Sequence, residues 1–390
     1  MSVVARAVSA PIPSVSETVS RFALNLILQL VPAAEATSLG GLLAATLSKS
    51  WVESAPPDLS ISEAELDQVA PLLYQSGGAG LGWWRIRDSD LRQTPSGEML
   101  HQAFRLLALQ SAIHESKIRK VFTVLRSFNI EPILMKGWAM ARAYPQPALR
   151  PYGDIDLILR PRDYPTAIGV AKKDLRDCQL DFHTLPVELA DRSIEDLFSR
   201  SQLAVSADQQ IRILSPEDHF ALLAIHLLKH GAWRPLWLCD LAVLLESSSN
   251  IDWKLCLGKD PRHQNWILAA TGLAHTLLNA SIGDREIAAR AERVPVWLKQ
   301  QVLKQWETPF AALQSPFSHR APISFYLRRP RGLLGDLARR WPNPIVATIS
   351  VKGTFGARRR KRYEFGNWLL RAARVVSARL RPESSLTETQ

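Results

Sequence analysis

The chain has 390 residues, 46% hydrophobic and 22% charged, the composition of a globular protein of two or three domains. Its three cysteines (Cys178, Cys239 and Cys256) are odd in number and far apart, which excludes a disulfide framework or a C-x-x-C zinc site and makes a reducing cytoplasm the expected compartment. The formal charge of +11 sits in the tail: residues 321–381 hold 15 Lys+Arg against two acids, Asp336 and Glu364, so the rest of the chain is near neutral.

Residues to about 20 are Ser/Pro/Ala-rich and expected to be loose. The start has a single Arg and no continuous apolar stretch, so no secretory signal is expected. The run "FALNLILQLVPAA" from Phe22 is too short to span a bilayer and is interrupted by Asn25 and Gln29. Helical patterns follow. "SISEAELDQVAPLLYQ" carries a capping-box signal, Ser60 or Ser62 ahead of Glu63 or Glu65. The glycines of "QSGGAGLGW" follow no strand and precede no Lys-Ser/Thr, so they read as a flexible connection and not as a phosphate loop. A long helix is predicted from about Gly97 to Ser127, with Leu100, Phe104, Leu107, Ile118, Val121, Phe122 and Leu125 at helical spacing.

"EPILMKG" reads as a short apolar strand ending at Lys136-Gly137, and "WAMARAY" as one or two helical turns. "PYGDIDLILR" reads as a buried strand with Asp154 and Asp156 at its start, "YPTAIGVAKKDLRDC" as a short amphipathic helix and "QLDFHTL" as the last strand. After Pro186 the pattern is nearly all helical. "SPEDHFALLAIHLLKHG" has Ser215 as N-cap, Pro216 at the first helical position and Gly231 as a stop. Helices are also expected in "WLCDLAVLLESS", "DWKLCLGKD", "HQNWILAATGLAHTLLNAS" and "VPVWLKQQVLKQWE".

Two like charges at the mouth of a buried strand repel, and each resists desolvation. Strand alternation turns Asp154 and Asp156 to the same side. The arrangement becomes favourable when divalent cations sit between the carboxylates and a polyphosphate; Mg²⁺ takes hard oxygen ligands, one or two carboxylates plus substrate phosphates, and two such ions can stabilise attacking and leaving oxygens together. A third carboxylate is available in Asp181, which shares a strand face with Gln179 and His183. Asp181 is expected to ligate the metal and help deprotonate an acceptor hydroxyl. Gly137 offers a close backbone approach, Lys136 neutralising charge, and Arg150 a contact to phosphate.

The series "ILMKGWAMARAY", "RPYGDIDLIL", "LDFH" and "LSPEDHFALLAIHLLKHG…WLCDLAVLL" resembles the uncharacterised nucleotidyltransferase-like proteins of bacteria, within the DNA polymerase β-like nucleotidyltransferase superfamily. The resemblance covers roughly residues 60 to 375 and is strongest from 131 to 245. It implies an NTP substrate, two Mg²⁺ ions and transfer of a nucleoside monophosphate to an acceptor. Asp154 and Asp156 match the metal-binding pair, and Lys136-Gly137 the motif's first turn. The wider superfamily usually has Gly-Ser there; here the hydroxyl is missing and Trp138 follows.

The expected fold is α+β: a small mixed sheet forming a nucleotidyltransferase-like core (96–190), after an N-terminal helical segment with a loose start (1–95), and before a C-terminal helical domain (191–320) and a basic helical tail (321–390). His219, His226 and His230 read as packed or hydrogen-bonded helix residues, with lining of the cleft as the alternative; His183 reads as a surface histidine or a partner of Asp181. Asp240 reads as a buried hydrogen-bonding acid. The acceptor is open: sugar, small metabolite, protein or RNA. A rival reading is a non-catalytic nucleotide-binding regulator or an antitoxin-like partner protein. After "RRRKR" at Arg358–Arg362 comes a basic amphipathic helix with Leu369, Leu370, Ala373, Val376 and Leu380 on one face. It is expected to cover the body of the protein, to lie on an anionic membrane surface, or to dock on nucleic acid.

Overall fold

Period-two alternation along two short strands divides the core. In the computed structural model, which describes residues 38–53, 59, 61–247, 251–308 and 341–380 without the side chains of 372 and 374–380, β1 (Ile133–Met135) and β2 (Ile155–Ile158) are buried at every position. Leu134, Ile155 and Leu157 pack with Ile118, Val121 and Phe122 on one side of the sheet. Ile133, Met135 and Ile158 join the larger core made with the C-terminal helices. Strands buried on both faces need a helical layer on each side, which is why they read as unbroken apolar runs.

The sheet is completed by β3 (Leu180–His183), β4 (Gln202–Ser206) and β5 (Gln209–Ile213), in the order β3-β2-β1-β5-β4. β1 pairs antiparallel with β2 and parallel with β5, β2 pairs parallel with β3, and β4 pairs antiparallel with β5. The expected small mixed sheet is present. Its β4–β5 hairpin was not expected, because the pattern after Pro186 reads as helical. The hairpin brings residues beyond 190 into the sheet that carries the acids.

On the N-terminal side α1 (Leu39–Leu47), α2 (Glu63–Ser76) and α3 (Ala79–Ile86) lead to α4 (Pro95–Ser127). The Ser62–Glu65 capping box opens α2. The glycine cluster is not a flexible connection: Gly77 (φ +82°) ends α2, and Gly80 and Gly82 lie buried inside α3. A Cβ on Gly80 would stand 2.7 Å from the Ala148 carbonyl oxygen, so these glycines serve close packing. α4, at 33 residues about 50 Å long, contributes Leu100 and Ala103 to one core and Ile118, Val121 and Phe122 to the other.

Short helices α5 (Gly137–Ala141), α6 (Tyr164–Asp174) and α7 (Ile194–Arg200) connect the strands. The C-terminal layer comprises α8 (Pro216–Lys229), α9 (Pro235–Ser247), α10 (Trp253–Leu257), α11 (Pro261–Leu278), α12 (Arg285–Ala291) and α13 (Val296–Trp306), followed by α14 (Pro344–Ser350) and α15 (Lys361–Leu380). Ser215 caps α8 as expected, accepting from Asp218 N–H at 3.3 Å, and Gly231 (φ +78°) follows its end. Among the described residues no helix is long and apolar enough to cross a membrane. The loose N-terminal start, the run from Phe22 and the tail from 321 to 340 lie outside the described residues.

One buried ion pair fastens the segment before β2 to the C-terminal layer. Arg150 Nη2 donates to Asp240 Oδ2 at 2.7 Å and Nε donates at 3.1 Å to Oδ1, while Tyr144 Oη donates to Oδ1 at 2.8 Å. Asp240 is fully buried and Arg150 nearly so. Burial pushes the Tyr144 hydroxyl well above its usual pKa, with the Asp240 carboxylate adding to it. Such a pair is weak evidence of net stability, yet removing one partner strands a buried charge. Asp240→Ala is therefore expected to lower the unfolding free energy by about 3–5 kcal/mol in urea titration, and Arg150→Met in the same chain to restore part of the loss. Single and double variants that unfold at the same urea concentration would refute the assignment.

Candidate active site

The site forms where β1 ends and β2 and β3 begin. Because β1 runs antiparallel to β2, its last residue, Met135, lies opposite Asp156. Because β3 runs parallel to β2, Asp181 lies opposite Asp156 on the other side. Neighbours at the same register share a sheet face. His183, two residues after Asp181, shares it too. One ligand atom from each of Asp156, Asp181 and His183 falls within 4.8 Å of the others, a spacing that could hold a metal ion.

Asp156 is buried and Asp181 exposed. Lys136 Nζ donates to Asp156 Oδ1 at 3.1 Å. His183 Nε2 stands 3.1 Å from Asp181 Oδ2 and 3.6 Å from Asp156 Oδ1. Burial pushes the Asp156 carboxyl pKa up, but His183 and Lys136 together outweigh it and hold the carboxyl below its usual range. The Asp156 carboxylate raises the His183 pKa against the effect of burial.

Asp154 stands apart from this cluster. β2 begins at Ile155, so strand alternation does not set the direction of Asp154, which is exposed. Both acids nevertheless line one cavity of about 440 Å³. Lys136, Gly137 and Arg150 line it as well; Asp181 does not. Arg150 already has partners in the cavity wall: Nε and Nη2 donate to Asp240, and Nη1 donates to the Pro151 carbonyl at 3.2 Å.

The Lys136-Gly137 turn is strained. Lys136 has φ +57° and Gly137 φ +37°. Backbone held in such regions costs on the order of 1–3 kcal/mol and persists only where its surroundings determine it. His219 supplies that support from α8: its Nε2 accepts the Lys136 backbone N–H at 3.0 Å. The histidine must be neutral to accept. Burial pushes its pKa down to about 3, with Arg150, Lys136 and Arg142 adding to the effect.

The far wall comes from the C-terminal layer and from α4. His226 on α8, Arg234 and Trp237 line the cavity, as do Gln110 and His114 on α4. His226 Nδ1 lies 3.7 Å from Glu188 Oε1, and Lys229 Nζ donates to the same oxygen at 3.1 Å. Burial raises the Glu188 pKa, but His226 and Lys229 outweigh it and hold the carboxyl at about 2. Trp237 meets His226 edge-on, with ring centroids 4.8 Å apart. Arg234 Nε donates to the Ser76 carbonyl at 2.9 Å, and burial, with Arg150 adding, pushes its pKa down to about 10. Sequence reading missed Arg234, Trp237 and Glu188. The one signal for the first two is "HGAWRPLW", a helix stop followed by a cation between tryptophans.

His219 carries a pH dependence. The unfolded chain binds its proton below about pH 6.5, and the folded chain only near pH 3. The stabilisation is complete above pH 6.5 and is lost as pH falls, on the order of 1 kcal/mol per unit. His219→Gln keeps an acceptor without titrating. Its melting temperature should fall less steeply than wild type between about pH 6.5 and 4; parallel slopes would sink the role given to His219.

A family model described as an uncharacterised nucleotidyltransferase matches residues 62–174 and 170–279, together more than half of the chain. No curated protein and no solved structure matches it at a significant level. The matched spans contain β1, β2, β3, α8 and α9, and so every residue described around the cavity. The chain belongs to this family of nucleotidyltransferases.

Proposed function

We propose that the protein transfers a nucleoside monophosphate from an NTP to an acceptor hydroxyl in a Mg²⁺-dependent reaction. The observation that carries this reading is the register Met135–Asp156–Asp181, which sets two carboxylates side by side at a strand end beside a cavity lined by basic groups. The donor set fits a divalent cation: hard carboxylate oxygens from Asp156 and Asp181 with the His183 imidazole beside them, and Asp154 on the lining of the neighbouring cavity. When bound, the ions neutralise phosphate charge and stabilise the attacking and leaving oxygens.

The chain's own groups do the rest. Lys136 gives up its pairing with Asp156 and turns its ammonium to the phosphates. Gly137, without a side chain, leaves the backbone open to them. Arg150, held by Asp240, contributes field and firmness, while Arg234 on the facing wall takes up phosphate contact. Trp237 and His226 offer aromatic faces to the base or acceptor. Asp181 receives the acceptor's hydroxyl proton, with His183 at 3.1 Å placed to share it. The acceptor oxygen bonds to the α-phosphorus, and the bond from that phosphorus to the bridging oxygen breaks to release pyrophosphate. Rate acceleration comes from positioning and preorganised charge. The acceptor is a sugar, a metabolite, a protein or RNA, and the buried free cysteines fit a cytoplasmic setting.

One observation favours the second reading, a nucleotide-binding regulator without turnover: the Lys136 ammonium already neutralises Asp156 at 3.1 Å. Incubation with each NTP, Mg²⁺ and cell extract, followed by mass spectrometry, separates the two. Nucleotidylated products support transfer. Calorimetric binding of Mg·NTP without product supports the regulator, and no binding removes both. Asp156→Asn should lower turnover on the order of a hundredfold or more while its melting temperature without metal stays near wild type. Mn²⁺ should raise the melting temperature of wild type and not of the variant. Normal turnover by Asp156→Asn would refute the site.

A further inference from the structure

Over residues 361–371, α15 turns Glu364 and Asn367 inward and Phe365, Leu369 and Leu370 outward. Glu364 and Asn367 are 1% and 4% exposed. Glu364 accepts from Trp341 Nε1 at 2.6 Å and from Arg359 Nε and Nη2, each at 2.5 Å. Phe365, Leu369 and Leu370 are 52%, 47% and 45% exposed. A helix docked on its own protein does the reverse, so Phe365, Leu369 and Leu370 do not cover the body. Phe365 stacks on Trp368 with centroids 6.1 Å apart, and Trp341 is itself exposed. At the start of the helix Arg358, Arg360, Lys361 and Arg362 are exposed. The nearby acid, Glu364, is committed to Arg359.

We propose that this face docks on an anionic membrane surface, with Phe365, Leu369 and Leu370 entering the headgroup boundary and Arg358, Arg360, Lys361 and Arg362 meeting acidic headgroups. Charge complementarity and the outward apolar residues select this occupant together. A nucleic acid would match the cations and leave the leucines in water. An apolar protein groove would take the leucines and leave the cations unmatched. Interfacial helices combine both features: apolar residues bury shallowly, and each basic residue near an anionic surface adds about fivefold in binding. Aromatic rings such as Trp341 and Phe365 belong at that boundary. The inference is independent of the catalytic reading.

The test is co-sedimentation of the full chain with phosphatidylcholine vesicles with and without phosphatidylglycerol. The protein should pellet with the anionic vesicles, not the neutral ones, and salt should release it. Phe365→Ser with Leu369→Ser should weaken binding about tenfold or more. Arg358→Gln with Arg362→Gln should weaken it about twenty-five-fold. Both double variants should melt as wild type does, since these side chains are exposed. Absence of pelleting, equal pelleting with both vesicle types, or wild-type binding by either double variant overturns the proposal. Retention on DNA or RNA without vesicle binding overturns it in favour of nucleic acid.

Discussion

A carboxylate buried at the inner end of a strand has to be neutralised, and much of this structure answers that demand. Asp156 is 6% exposed on a strand with no exposed position. Left alone, it would take up a proton and lose its charge. Lys136 and His183 keep it ionised from two sides, one from the end of β1 and one from β3. The antiparallel β1–β2 pairing is what brings the lysine there, because the residue after Met135 emerges beside the start of β2. The lysine can turn toward Asp156 only from an unusual backbone conformation, and α8 supports that conformation through His219. Strand order, turn and histidine thus meet at one buried charge.

The same demand explains why the sheet needs its helical layers. The face carrying Asp156 looks toward α8 and α9; the other is closed by α4 and α6. The segment before β2, beside the cavity, is fixed to α9 by the Arg150–Asp240 pair in addition to the apolar packing of Tyr144 and Leu149. That choice puts a guanidinium in the cavity wall whose nitrogens are all engaged. A cavity lined by Lys136, Arg150 and Arg234 together with Asp154 and Asp156 suits a ligand with charge of both kinds.

Local signals were legible in the sequence where local chemistry decides the structure. The Ser62 capping box, the Ser215 cap, the long helix to Ser127 and the strand through Asp156 stand where the residues place them. What escaped was set by distant partners. The β4–β5 hairpin hides because its strand pattern is inverted: Leu203 and Val205 point outward at 49% and 68% exposure, while Ala204 and Ser206 are buried. An apolar-in reading selects the wrong face, and the parallel pairing of β5 with β1 leaves no local trace. The glycines of α3 read as a loop because the partner that needs their small size, the Ala148 carbonyl, is some seventy residues away. Asp156 and Asp181 were recognisable as acids on strands, but that they stand at one register, with Asp154 outside the strand, depends on where pairing starts. The basic helix was visible as amphipathic; which side it shows to solvent was not, because that depends on Glu364 finding Trp341 and Arg359.

The helix α8 sets the distance between the two walls of the site. His219 holds the Lys136 turn and His226 faces the cavity, seven residues apart, two turns and about 10 Å along one rigid axis. Its start is anchored by Asp218, fully buried, which takes Arg192 and Arg200 from the preceding segment as well as the Ser215 hydroxyl. Its other end reaches Glu188 through His226 and Lys229. Movement of this helix would therefore shift the Lys136 turn and His226 together. The nucleotide transfer proposed above would gain from that coupling, because positioning within a fraction of an ångström governs how much of the binding interaction reaches the transition state.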